Sequence, residues 1–195
     1  IKLVMAKRVF FSFHYQDVID FRANVVRNHW LTKPDRQSAG FFDSSIWEDA
    51  KKTSDLALKR LINSGLKNTS NTCVLVGSET FNRRWVSYEI MKSLEVGNHI
   101  FCVHINTIKG KDGKTKLKGS NPLYFLGISF SSDGKKLNLH DYVENKWVKY
   151  PDLEGWAVKE VPEEKRNKIF RLSSYYNIYD WVENDGYNNF SNWVK

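Results

Sequence analysis

Thr72 to Val76 (TCVLV) contains no charged residue and no polar alternation. A strand of that kind needs cover on both faces, which is the condition of a central strand in a parallel sheet. Its neighbours fit the same picture. Trp85 to Val96 carries apolar residues at helical spacing and is followed by Gly97, suited to the left-handed end of a helix. His99 to Ile105 (HIFCVHI) is the next apolar run, and Lys7 to Phe13 (KRVFFSF) is an earlier one. Strands separated by helices cannot pair as hairpins, so the alternation predicts an α/β fold with an open, mostly parallel central sheet and helices on both faces. Ligands in such sheets bind beyond the carboxyl ends of the strands. The loops Ser12 to Gln16 and Gly77 to Arg84 fall at that edge.

Other segments are read around this frame. Asp17 is the expected N-cap of a first helix reaching Trp30, with Val18, Phe21, Val25, Val26 and His29 near one face. Leu31 to Ala50 is rich in turn residues, and Phe41-Phe42 within it reads as a very short second strand. Thr53 or Ser54 caps a helix through Leu66, with Leu58, Leu61, Ile62 and Gly65 on one side and Gly65 or Asn68 as its stop. Beyond Asn106 the pattern changes. Tyr124–Phe130, Leu137–Tyr142 and Lys146–Tyr150 read as short strands, with hairpin punctuation at Ser132-Asp133-Gly134 and Glu144-Asn145. Leu172 to Trp193 is polar and aromatic and is expected to close in one or two short helices. A chain of 195 residues has room for one well-cored domain with an appendage. Residues 5–105 are the expected core and 106–195 an elaboration packed on the same domain. Residues 1–4 precede a Met and are expected to be a remnant outside the fold.

The formal net charge of +8 suggests a polyanion partner, yet much of the excess lies in Lys109 to Lys118 (KGKDGKTKLK). That stretch has glycines and no aromatic residue, so it reads as an exposed loop rather than a surface that tracks nucleic acid. Cys73 and Cys102 each sit in an apolar run, where a thiol packs as a small hydrophobe, and their spacing forms no disulfide framework. A reducing, cytoplasmic setting is expected. No apolar stretch nears the roughly 20 residues of a membrane helix, and no secretory leader opens the chain. Metal-ligand spacing, a Gly-rich phosphate loop and a nucleophile elbow are also missing from the sequence, so no metal and no cofactor is expected. Seven Trp, nine Tyr and twelve Phe exceed what a small core requires, so some rings are expected to line a site or an interface.

The chemistry-bearing pattern is Trp85 and Glu89, four residues apart and therefore on one helix face just after a strand and turn. A flat aromatic beside a carboxylate suits a nucleotide whose ribose is held while its base departs. A bare W-x-x-x-E recurs by chance, and alone it reads as a core tryptophan and a solvated carboxylate. F-S-F-H-Y-Q-D at residues 11–17, W-V-S-Y-E at 85–89 and the closing Asn192-Trp193-Val194 together resemble the TIR-domain family in its NAD-consuming branch. The likeness is nearest to the TIR subunits of the bacterial Thoeris antiphage system, and it spans nearly the whole chain. It implies a flavodoxin-like TIR fold in which the segment after residue 105 is a family-specific elaboration. It also implies cleavage of NAD+ as substrate, formation of a cyclic ADP-ribose isomer, and sensing of that messenger by a separate NAD-degrading effector.

On this resemblance Glu89 is the catalytic carboxylate, stabilising positive charge that develops on the ribose, and Trp85 offers a stacking face. Ser12, Phe13 and His14 match the ribose-side lip, and Arg83 and Arg84 read either as charge-assisted contacts for the diphosphate or as a solvated helix start. Asp43 and Trp47 lie where the family carries a loop over the site. Three other readings remain at this point. A TIR scaffold acting only by self-association would not depend on Glu89, a nucleoside-processing transferase would form a covalent sugar adduct on it, and a nucleic-acid binder would show steep salt dependence.

Overall fold

The computed structural model describes residues 7–42 and 44–195. Strands β1 (Lys7–Phe13), β2 (Arg36–Ala39), β3 (Asn71–Val76) and β4 (His99–His104) come from the first part of the chain, and Ile178–Asp180, here β10, comes from near its end. They form one parallel sheet in the order β2–β1–β3–β4–β10. This is the flavodoxin-like order, in which the direction of winding reverses between β1 and β3 and leaves a crevice at their carboxyl ends. Helices α1 (Tyr15–Ile19) and α2 (Arg22–Leu31) connect β1 to β2. Helices α3 (Ser44–Thr53) and α4 (Asp55–Leu66) connect β2 to β3, and α5 (Arg84–Glu95) connects β3 to β4.

Every residue of β3 is buried, as its unbroken apolar character requires of a central strand. Because side chains alternate along a strand, the sheet feeds two cores. Val9, Phe11, Cys73, Leu75, Phe101 and Val103 pack with Ala23, Val26 and Trp30 of α2 and with Phe190 and Trp193 of α6 (Gly186–Trp193). Val74, Val76, Ile100 and Cys102 pack with Val86, Ile90 and Met91 of α5. The two free, buried cysteines thus stand on opposite faces of adjacent strands and serve as packing groups.

Between β4 and β10 the chain builds a second, antiparallel sheet from β5 (Leu126–Phe130), β6 (Lys136–Val143), β7 (Lys146–Lys149), β8 (Trp156–Ala157) and β9 (Ile169–Arg171). Its order is β7–β6–β5–β9, with β8 also paired to β6. The expected hairpin at Glu144-Asn145 is present, both residues having positive φ (48° and 62°), as a two-residue turn matched to strand twist requires. Leu126, Leu137, Leu139 and Tyr150 of this region close over the core beside α5. The basic stretch before it is largely exposed. It is pinned at its base by the buried Arg22, which donates to the carbonyls of Ile108 (2.9 Å) and Lys114 (2.6 Å).

Several elements differ from the sequence reading. The first helix is two helices, broken where Phe21 adopts a left-handed φ of 64°. Asp17 lies inside the first of them, 3% exposed, instead of capping it. Arg22, Ala23, Val26 and Trp30 face inward, while Phe21 and Val25 are exposed. The second strand is Arg36–Ala39, ahead of Phe41-Phe42, and the segment read as turns contains α3. Ser54 does cap α4, its hydroxyl accepting the Ala57 N–H at 3.1 Å. The tail supplies a strand of the main sheet as well as helix α6. Among the described residues no helix is long and apolar enough to cross a membrane.

Candidate active site

Beyond the ends of β1 and β2 opens a cleft of about 440 Å³. Helix α5 contributes Trp85 and Glu89 from one face, β1 and the turn after it contribute Phe13 and His14, and α3 contributes Trp47, Glu48 and Lys51. Gly40, immediately after β2, forms part of the wall with φ of +87°. A Cβ there would lie 2.2 Å from the carbonyl oxygen of Phe11, so only glycine lets the chain turn this close to β1.

Glu89 is the central group. Its side chain is 5% exposed, and the Ser12 hydroxyl donates to its Oε2 at 2.5 Å. Burial pushes its carboxyl up to about 8, against the opposing pull of the Ser12 hydrogen bond. A carboxyl in an apolar setting with one hydrogen bond is held near the point at which it exchanges a proton at neutral pH, as site carboxylates tuned by desolvation are. Ser12 is fully buried and stands behind Glu89, where it orients one oxygen and leaves the other without a side-chain donor among the described residues.

The remaining residues singled out in the sequence are distributed around this carboxylate. Trp85 lines the cleft edge-on to Tyr88, with centroids 6.0 Å apart, and the Arg84 guanidinium lies 4.7 Å above its ring. Arg84 is at the rim, engaged by both oxygens of Asp152 (2.8 and 2.6 Å) and by Asp55 (2.7 Å). Arg83 has a looser tie to Glu79 at 3.6 Å, and its buried Nε has no hydrogen-bond partner. Phe13 packs on Phe41 with centroids 4.4 Å apart. His14 is held below the usual histidine range by burial and by Arg83, so it is a neutral imidazole at pH 7. Trp47 stacks on Phe42 (5.9 Å, 20°) to form the wall facing α5, whereas Asp43 lies outside the described residues. Tyr15, Glu48, Lys51 and Asn82 complete the lining. In the sequence, the excess of aromatic residues and the placement of Trp47 in the family's loop over the site both pointed toward this wall.

An aromatic slot with a single buried carboxylate at its base can hold a flat heteroaromatic ring and stabilise a cation formed beside it. Among the described residues no cluster of three or more His, Cys, Asp or Glu side chains is placed to hold a metal ion. Residues 10–109 match the family model described as the TIR-like domain of the Thoeris protein ThsB. Over 192 residues the chain is 64% identical to a Bacillus cereus (strain MSX-D12) protein named as a candidate cyclic ADP-D-ribose synthase, ThsB1. That alignment covers 98% of this chain and 100% of the relative.

Proposed function

The chain belongs to the Thoeris ThsB family of TIR-like proteins, and on that premise we propose that it cleaves NAD+ and closes the ADP-ribosyl part into a cyclic ADP-ribose isomer. The observation that carries the reading is Glu89, a buried carboxylate held by Ser12 at the base of a cleft walled by Trp85, Trp47 and Phe42. The bond between ribose C1′ and the nicotinamide nitrogen breaks with its electron pair going to nitrogen. Nicotinamide therefore leaves neutral and needs no acid, metal ion or cofactor. The cation left on the ribose is stabilised by Glu89 in its anionic form. The positive nicotinamide ring and the developing ribosyl cation favour that form over the neutral acid of the empty cleft. A hydroxyl of the same molecule then attacks C1′ and loses its proton to Glu89. Exclusion of water by the aromatic walls favours closure over hydrolysis.

In this reading the cyclic product is a messenger sensed by a separate NAD-degrading effector in antiphage defence, and the protein works in the cytoplasm, consistent with its buried free thiols. The exposed Tyr15, Ile19, Phe21 and Val25 along α1 and α2 favour self-association through that face. The test is chromatography of small molecules after NAD+ is incubated with wild-type protein and with Glu89→Gln, alone and in lysate from phage-infected cells. The expected result is free nicotinamide and a cyclic ADP-ribose from the wild type and neither from the variant. NAD+ left intact by the wild type in every condition would refute the proposal and favour the scaffold.

A further inference from the structure

A second cleft, of about 480 Å³, lies on the other side of Arg84, where the start of α5 meets the antiparallel sheet. Its walls are aromatic. Phe81 and Phe125 have ring centroids 5.5 Å apart, and Tyr142 joins them. Asn82 and Arg84 line both clefts, so the two spaces meet across a single layer of side chains.

Two groups in this cleft are not explained by packing. Tyr150 is 3% exposed, and its hydroxyl has no hydrogen-bond partner, a state that is unfavourable unless something completes it. Asp141 is half-buried, its carboxyl is raised by desolvation, and only a backbone N–H offsets that rise. The other charged groups of the lining are Glu144, Asp152 and Arg84, and the last two are already joined to each other. In an aromatic-walled cleft the carboxylates repel phosphate, and together with the phenol oxygen they accept from a flat ring bearing N–H donors.

Phosphate belongs instead at the seam. There α5, twelve residues long, begins without a side-chain cap, leaving unpaired backbone N–H groups at its positive end, and the neighbouring Arg83, which faces the first cleft, has a buried Nε without a partner. We propose that the second cleft is the subsite for the adenine base of NAD+, with the diphosphate crossing the seam at Arg83 and the N-terminus of α5. The proposal rests on the reading of the first cleft as the site of the nicotinamide ribose. It gives Asp141 the exocyclic amine as its donor and keeps the adenosine ribose at the seam, beside the nicotinamide ribose, as ring closure through a hydroxyl requires.

The test uses AMP, which carries the base and a phosphate but no nicotinamide ribose. Its binding is measured by calorimetry to the full wild-type chain and to Phe81→Leu, Asp141→Asn and Glu89→Gln, each checked for a cooperative melt. AMP is expected to bind the wild type and Glu89→Gln equally, and about tenfold more weakly to each second-cleft variant. Asp141→Asn preserves size and carries the test if Phe81→Leu does not fold. No binding of AMP to the wild type would overturn the subsite, as would binding indifferent to both second-cleft variants. Absence of NAD+ turnover together with the expected AMP pattern would instead remove the proposed chemistry and leave a purine-nucleotide site standing.

Discussion

At Glu89 a carboxyl with an ordinary value of 4.5 titrates at about 8 in the fold because of burial. Below the unfolded value both states carry the proton and folding has no penalty. Between the two values only the unfolded chain releases it, so stability falls as pH rises, and the loss is complete above about 8. Glu89→Gln, which keeps the shape and removes the ionisation, is expected to raise the melting temperature little at pH 5 and most at pH 8.5. Equal shifts at both pH values would contradict the assigned burial. The Trp85 and Glu89 spacing made this face legible in the sequence, since a four-residue offset is a local property of a helix. The bond from Ser12 was not legible. It joins residues 77 apart in the chain, and the serine acts from beneath the carboxylate, not at the lip where the strand end suggested it.

Among the elements, those with a strong local signal were read correctly and those set by distant contacts were not. Strand β3 and helix α5 announce themselves by apolar content and by Gly97. Strand β2 (RQSA) is an edge strand with little apolar content, and only its pairing with Lys7–Phe10 makes it a strand. The break between α1 and α2 follows from Arg22, which is buried to reach the carbonyls of Ile108 and Lys114, so the inward face is set by a loop far along the chain. Helix α3 was obscured by the turn-forming residues ahead of it, although it places Trp47 in the cleft wall. The turn that leads into that wall depends on Gly40. Gly40→Ala places a Cβ against the Phe11 carbonyl in a left-handed conformation. It is expected to lower unfolding free energy in urea by roughly 2 kcal/mol or more and to reduce NAD+ turnover. Wild-type stability in that variant would show that the close approach is not required.

For the whole molecule, the parallel sheet is completed from its far end. Ile178–Asp180 pairs with Cys102–His104, and Phe190 and Trp193 enter the same core as Phe11 and Phe101. Three residues carry too little periodicity to be read as a strand, which is why the sequence showed only an aromatic tail. A chain ended after Asn177 exposes the β4 edge and removes those rings. It is expected to lose cooperative thermal unfolding, and a sharp melt near that of the full chain would contradict this role. The central claim is that a buried Glu89, oriented by Ser12, must be ionised to cleave NAD+. It is tested most directly by the pH dependence of kcat/KM for nicotinamide release, which reports ionisation in the free enzyme. Activity is predicted to rise to a plateau with a midpoint near the value of about 8 set by burial of Glu89. Ser12→Ala, which loses the hydrogen bond that lowers this value, should move the midpoint upward, and Glu89→Gln should abolish the activity. A flat profile, or a Glu89→Gln variant that still releases nicotinamide, would contradict the account.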